Sequence, residues 1–156
     1  MIGRKLAVAA VALVAVAVPA AAQDYNARTN YGEVTLQAGF TPDPRVINLR
    51  AGGDRNAQNL SSSCRGFITN APDVRVQYSS GDYPLIISVA SGADTTLVVN
   101  APDGSYYCDD DGGVNGLNPA VRFNRPMSGR YEIWVGTYSS GNAQPAELHI
   151  SEVASQ

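Results

Sequence analysis

Aspartate and asparagine side chains are spaced in one part of the sequence so that their oxygens could bind a cation. The apolar run Thr95–Asn100 is followed by Asp103-Gly104, a dipeptide typical of a two-residue β-hairpin turn. With these two residues at the centre of the turn, Asn100 opposes Tyr107. Because side chains alternate between the faces of a strand, this register places three residues on the inner face, Leu97, Val99 and Cys108. It gathers three carboxylates on the outer face, those of Asp94, Asp109 and Asp111.

Carboxylates a few ångströms apart repel one another by about 1 kcal/mol per pair in water, and a bound cation removes that cost. Ca²⁺ takes about 6–8 oxygen ligands, and the segment 109–118 offers such oxygens together with glycines that let the backbone fold around an ion. The candidate ligands are Asp94, Asp109, Asp111, Asn115 and Asn118. The spacing is not that of an EF-hand. The alternative is a solvated acidic turn whose side chains cap local amides.

The residue types of the sequence give little indication of a catalytic site. His149 is the only histidine, and it lies in an apolar run between Leu148 and Ile150. It could act as a general base, but the pattern favours an outward strand residue beside Glu147. The motifs of serine hydrolases are absent from the sequence around the serines. We therefore predict that no residue is catalytic and that the protein is not an enzyme.

Aromatic side chains supply a second candidate surface. Trp134 is opposite in phase to the apolar residues Ile133 and Val135 of its run. It could stack on a sugar at the surface, or it could fill the second side of a central strand, which the pattern favours. Together with Tyr106 and Tyr107, it is a candidate for contact with a carbohydrate or a protein.

The first 22 residues have the layout of a secretory signal peptide. Arg4 and Lys5 precede the apolar run Leu6–Val18, and three alanines at 20–22 supply small residues for cleavage. An uncleaved membrane anchor is the alternative, but the run is shorter than the roughly 20 apolar residues that span a bilayer. We expect a bacterial periplasmic or secreted protein without membrane attachment after cleavage.

Export would place Cys64 and Cys108 in an oxidising compartment, where an even number of cysteines favours a disulfide. Two free buried thiols or a pair binding a soft metal are the alternatives. After cleavage, nine arginines and no lysine stand against 14 acidic residues. An acidic domain without a basic cluster is a poor candidate for binding nucleic acid or an anionic membrane.

Short strands must position these residues. Alternating or apolar runs bounded by turn residues occur at 33–38, 45–50, 64–69, 74–78, 85–90, 95–100, 131–136 and 146–151. We expect the first two to form a hairpin. No run is a convincing amphipathic helix. The pattern predicts an all-β fold, an antiparallel β-sandwich of jelly-roll-like architecture with about nine or ten short strands. Residues 23–32 are then a flexible lead-in, and residues 33–153 are one domain.

Several short motifs between residues 85 and 150 resemble the bacterial pre-peptidase C-terminal domain, a small jelly-roll-like β-sandwich appended to secreted peptidases. They are Asp94 opening the run DTTLVVN, the Pro102-Asp103-Gly104 turn, the loop rich in Asp, Gly and Asn, and Ser128-Gly129-x-Tyr131-x-Ile133-x-Val135. The resemblance implies Ca²⁺ bound by the strand-opening aspartate and the acidic loop, which corresponds to Asp94, Asp109 and Asp111. The sequence departs from that family in its first half and in having no peptidase domain.

These observations predict a non-catalytic, exported binding or structural module with a candidate Ca²⁺ site, which contacts a protein, a peptide or a glycan of the cell envelope. A secreted hydrolase or a peptidase-associated accessory protein is the alternative. A calcium-gated adhesion module is a third interpretation.

Overall fold

The computed structural model of the protein describes Asp24 and residues 26–156, so the predicted signal peptide and part of the predicted lead-in lie outside the described residues. Within that part of the chain, the predicted all-β sandwich is confirmed: two sheets contain eleven strands, and the one helical segment is a 3₁₀ turn, Ala57–Asn59. The strands are β1 (Glu33–Gln37), β2 (Arg45–Ala51), β3 (Arg55–Asn56), β4 (Phe67–Ile68), β5 (Val74–Ser79), β6 (Leu85–Ala90), β7 (Thr95–Asn100), β8 (Tyr106–Asp109), β9 (Ala120–Phe123), β10 (Gly129–Thr137) and β11 (Gln144–Ser151). The described segment contains no helix long and apolar enough to cross a membrane.

The larger sheet is built around β10. This strand pairs antiparallel with β7 along one side, and with β5 and then β4 along the other. β8 extends the sheet beyond β7, β3 extends it beyond β4, and β1 pairs parallel with β5. The smaller sheet is antiparallel throughout, in the order β2-β11-β6-β9.

The predicted hairpin of the first two strands is wrong, because β1 and β2 belong to different sheets. The connection between them contains Pro42 and Pro44, which lack the N–H groups that a ladder requires. Its backbone is held by side chains instead. Asp43 accepts hydrogen bonds from the Ser151 hydroxyl at 2.5 Å and from the Glu152 N–H at 2.9 Å. The connection therefore crosses from one sheet to the other beside the end of β11.

The main core lies between the sheets and is filled by alternate residues of each strand. Its fully buried side chains include Val76, Leu97, Ile133 and Leu148. Burying one such aliphatic side chain contributes roughly 1.5–3 kcal/mol relative to leaving it exposed. This core makes the sandwich a rigid support for its loops.

A second, smaller core lies on the outer face of the larger sheet. Trp134 and Val98 are directly paired there, and the segment 51–66 covers them with Ala57 and Cys64. The predicted disulfide between Cys64 and Cys108 is confirmed, with a Cα–Cα distance of 5.0 Å, and it attaches the covering segment to β8. The segment passes so close to β4 that a Cβ at position 53 would lie 2.0 Å from the backbone of Ile68. Only glycine fits there.

Candidate functional site

The strand register of the hairpin that leads into the segment 109–118 is offset by one residue from the predicted one. Val98 pairs with Cys108, and Leu97 pairs with Asp109. The turn contains three residues, 102–104, because the Ala101 N–H still donates to the Ser105 carbonyl at 3.0 Å. Gly104 closes the turn at a φ of 80°, a left-handed conformation that glycine adopts without strain.

A slip of one residue moves every second side chain to the other face of the sheet. Cys108 therefore lies on the outer face beside Val98 and the covering segment, and its predicted place on the inner face is wrong. Asp109 lies on the same face as Leu97, directly opposite it. The predicted grouping of Asp109 with the outward carboxylates is wrong for the same reason.

Asp109 organises the loop that follows β8. Its Oδ2 accepts hydrogen bonds from the backbone N–H of Gly112 at 2.7 Å and of Ala120 at 2.8 Å. Ala120 begins β9 of the smaller sheet, so one carboxylate connects the loop to both sheets. Two amide donors share this oxygen, which gives Asp109 the geometry of a loop cap.

Asn118 anchors the other end of the loop. It is 2% exposed, its Oδ1 accepts from the Thr95 hydroxyl at 2.8 Å, and its Nδ2 donates to the Ser91 carbonyl at 2.9 Å. Its own carbonyl accepts from the Gly113 N–H at 2.8 Å. The Asn118 side chain is thus turned into the protein, whereas Asn115 is exposed.

The site contains a group of interacting carboxylates, those of Asp94, Asp110 and Asp111. Burial raises the pKa of Asp94, and the nearby carboxylates of Asp111 and Asp110 raise it further. Asp94 Oδ1 is buried, and no hydrogen-bond partner for it exists among the described residues. Burial and the carboxylates of Asp111 and Asp109 also raise the pKa of Asp110, although the Arg65 guanidinium lowers it. Sequence reasoning missed Asp110, because the predicted register turned its side chain away from Asp94.

The predicted ligand set is therefore divided. The carboxylate of Asp111 raises the pKa of Asp94, whereas Asp109 and Asn118 are bound to backbone groups and to Thr95. Between residues 26 and 156, no three or more His, Cys, Asp or Glu side chains are grouped so that they could hold a metal ion.

The tip of the loop presents apolar side chains to solvent. Val114 is 74% exposed and Leu117 is 57% exposed. The Val114 N–H donates to the Gln156 carbonyl at 2.9 Å, so the end of the chain holds the tip in place. A fixed loop with two exposed apolar side chains beside acids is a surface of the kind that proteins use to bind one another.

The aromatic candidates do not form one surface. Trp134 is 0% exposed within the second core, so its predicted role in surface binding is wrong, and its alternative role of filling the second side of a central strand is confirmed. Tyr106 is half-buried with its ring 6.4 Å from that of Trp134. Tyr107, on the other face, is 37% exposed and packs edge-on against Phe123 at 4.9 Å.

His149 is an outward residue of β11, with Nε2 lying 3.2 Å from the Glu147 carboxylate, as the strand pattern favoured. It is nevertheless 7% exposed. The end of the chain passes here, since the Gln156 N–H donates at 3.0 Å to the hydroxyl of Ser88, which is paired with His149. The histidine is therefore part of a packed surface and not of a cleft.

Comparison with known proteins gives a relative by sequence and a similar solved structure. No protein-family model matches the chain, so the resemblance to the pre-peptidase C-terminal domain stays a prediction, whereas the β-sandwich that it implies is found. An uncharacterised protein of Synechococcus elongatus is 30% identical over 119 residues, which cover 74% of this chain and 84% of the relative. The crystal structure of PliG from Aeromonas hydrophila, a periplasmic inhibitor of g-type lysozyme, is similar with a TM-score of 0.39 and 16% identity. That similarity covers 77% of this chain and 96% of PliG, and it adds nothing to the fold described above.

Proposed function

The chain belongs to the family of the Synechococcus elongatus protein, and we propose that it is a non-catalytic, exported binding module that contacts a protein partner in the cell envelope. The observation on which this rests is the segment 109–118, which we name the acidic loop. It combines an exposed apolar tip, acids at its base and fixed backbone anchors at both ends.

The anchors favour binding because a loop that is already ordered loses little conformational entropy when a partner docks. Asp109 and Asn118 hold the two ends, and the end of the chain holds Val114. Burying Val114 and Leu117 against an apolar patch would supply hydrophobic free energy. The neighbouring carboxylates of Asp110 and Asp111 favour a partner that carries Lys or Arg around that patch.

Export is part of the same proposal. The Cys64–Cys108 disulfide supports an oxidising compartment, because such bonds form and persist in the periplasm and outside the cell. Together with the predicted signal peptide, it favours a periplasmic or secreted protein.

Affinity capture from an envelope extract tests the proposal. We expect the wild-type protein to capture a basic protein that the variant Val114→Ser/Leu117→Ser does not, and capture should weaken at about 0.5 M salt, because salt screens exposed charges. Val153→Ser is the matched control, since Val153 is an 81% exposed apolar residue outside the loop. The loop variant capturing the same proteins as the wild type would contradict the proposal. So would binding to a glycan array that the loop variant retains.

We also propose that Ca²⁺ binds beside Asp94, as the resemblance to the pre-peptidase C-terminal domain implies. The buried, unpartnered Oδ1 of Asp94 supports this, because a cation there would offset the repulsion from Asp110 and Asp111. In this proposal Asp94 is the carboxylate that binds the ion, Asp110 and Asp111 attract it through their charge, and Asp109 and Asn118 support the loop.

A further inference from the structure

β1 is an edge strand of the larger sheet. Among the described residues its one ladder is the parallel pairing with β5. Gly32 O accepts from Arg75 N at 3.2 Å, and Ala38 N donates to Ser79 O at 2.9 Å, so the even-numbered residues bond to β5. In a parallel ladder the alternate residues then direct their N–H and C=O groups away from the sheet. These residues are Glu33, Thr35 and Gln37.

The features that usually protect an edge strand are absent from β1. Natural edges are commonly protected by lysine, proline or a bulge, and the sequence of β1 is Glu-Val-Thr-Leu-Gln. Its single charge, on Glu33, is bound by Arg75 at 2.5 Å. A cleft of about 370 Å³ lies beside the strand, lined by residues 33–36 together with Thr41, Pro42 and Arg45. The described residues therefore leave part of the space beside β1 unfilled.

We propose that a second copy of this chain occupies the edge, with β1 pairing antiparallel to β1 about a two-fold axis at Thr35. In this register Thr35 faces Thr35, and Glu33 of each copy faces Gln37 of the other. All three outward residues then meet outward residues, which is the arrangement that antiparallel hydrogen bonding requires. The resulting dimer has one continuous sheet formed from the larger sheets of both copies.

The charges also select this register. An axis at Glu33 would place two carboxylates directly opposite each other, which is destabilising. With the axis at Thr35, each carboxylate faces an amide that can donate to it, and Val34 lies opposite Leu36. The strand is thus complementary to itself in hydrogen bonding, charge and apolar side chains. This self-complementarity favours a second copy over an unrelated peptide as the occupant.

Charge variants at Thr35 test the proposal. Analytical ultracentrifugation of the wild-type protein, with its disulfide formed, should show a monomer–dimer equilibrium up to about 1 mM protein. Thr35→Arg and Thr35→Glu should each weaken association roughly tenfold or more, because like charges then face each other, and an equimolar mixture of the two should restore it. Gln77→Arg is the control, since Gln77 is exposed and lies beside Thr35 on β5.

A cysteine substituted at the axis gives a second readout that does not depend on affinity. Directly paired residues of this kind have Cα atoms about 5.5 Å apart, within the range of a disulfide. Thr35→Cys should therefore form a dimer linked by a disulfide between the two substituted positions under mild oxidation, and Gln77→Cys should not. A wild-type protein that stays monomeric, association that Thr35→Arg leaves unchanged, or equal cross-linking of the two cysteine variants would each overturn the proposal.

Discussion

Arg75 donates from Nε to the carboxylate of Glu132 at 2.5 Å on the outer face of the larger sheet, where Glu132 is 1% exposed. The same oxygen lies 3.0 Å from Nε of Arg130, and the guanidinium of Arg75 also binds Glu33. Burial raises the pKa of Glu132, and the carboxylate of Glu33 adds to this, although Arg75 and Arg130 lower it, so the carboxylate is costly to bury even with its partners. Its other oxygen has no partner within the described residues.

We expect Arg75→Met to lower the free energy of unfolding by about 3–5 kcal/mol, because it leaves a buried carboxylate without its main partner. Arg75→Met/Glu132→Leu should recover most of that loss, since two apolar side chains then replace the buried pair. Urea unfolding at pH 7 measures both. Arg122→Met, at an exposed position of β9, is the control and should change stability by about 0.5 kcal/mol or less. A single variant as stable as the wild type would contradict the prediction.

Asp73 should make stability depend on pH in a direction opposite to that of most carboxylates. It is 0% exposed, it accepts from the Val135 N–H and from Asn30 at 2.8 Å each, and burial raises its pKa to about 6. Between about pH 4 and pH 6 the folded protein then holds a proton that the unfolded chain has lost. The contribution of this group to stability is therefore greatest at low pH, and it falls as the pH rises through about 6.

The difference in unfolding free energy between the wild type and Asp73→Asn isolates this effect. It should fall by at most about 3 kcal/mol from pH 4 to pH 7, because one pKa unit corresponds to about 1.36 kcal/mol. Urea titrations at several pH values give the difference. Asp54→Asn is the control, since it removes a carboxylate whose side chain is 85% exposed and leaves Asp73 in place. A difference for Asp73→Asn that rises with pH would show that the sign is wrong.

The sequence predicts the strands well where one face is apolar, and it fails where a single residue decides the register. The runs predicted at 85–90 and 95–100 agree with β6 and β7, because buried alternating side chains leave little freedom. Asp103-Gly104 fits both a two-residue and a three-residue turn, and Pro102 entered the turn as the third residue. That one extra turn residue places Cys108 and Asp109 on the faces opposite to those predicted. It is also the reason why sequence reasoning missed the contribution of Asp110 to the carboxylate group.

Burial on the outer face of the larger sheet was harder to foresee. Periodicity showed that Trp134 is out of phase with the main core, but it could not show that the segment 51–66 covers it. That segment is polar and rich in glycine, and the predicted strand at 64–69 shortens to Phe67–Ile68. The strands that pair with β1 and β2 are distant in sequence. No local sequence pattern therefore indicates that these two consecutive strands belong to different sheets.

The disulfide should hold the second core more than the main core. Cys64→Ala/Cys108→Ala removes a link across 44 residues, which in the chain-entropy model contributes about 4 kcal/mol. Trp134 is the only tryptophan of the chain and lies under the covering segment, so its emission reports on this core. We expect its emission in the variant to shift red at a lower urea concentration than the loss of far-ultraviolet circular dichroism. In the wild type the two transitions should coincide, and their coincidence in the variant would contradict the prediction.

We expect calcium to stabilise the protein through the proposed ion site at Asp94. A ligand that binds the folded state alone, at a hundredfold excess over its Kd, adds about 2.7 kcal/mol. Thermal melts should therefore rise by several degrees with Ca²⁺ and return with EDTA, whereas Asp94→Asn should show no rise. Mg²⁺ serves as the comparison ion, since it demands a stricter octahedral geometry. Melts of the wild type that are identical with Ca²⁺ and EDTA would rule the site out.

Asp109 should control the order of the acidic loop and hence the binding of its partner. Asp109→Ala removes the acceptor for the N–H groups of Gly112 and Ala120, and leaving such donors unpaired costs about 1–3 kcal/mol each where they are buried. Hydrogen exchange at these two amides should become faster, while exchange in β5 and β10 stays slow because the main core is intact. Affinity for the captured partner should fall, since the loop must now be ordered at the moment of binding.

Asp103→Ala is the matched control, because that aspartate caps the hairpin turn through Ser105 and lies outside the loop. Unchanged exchange at Gly112 and Ala120 in Asp109→Ala would show that the carboxylate does not hold the loop, and normal affinity despite fast exchange would separate loop order from binding.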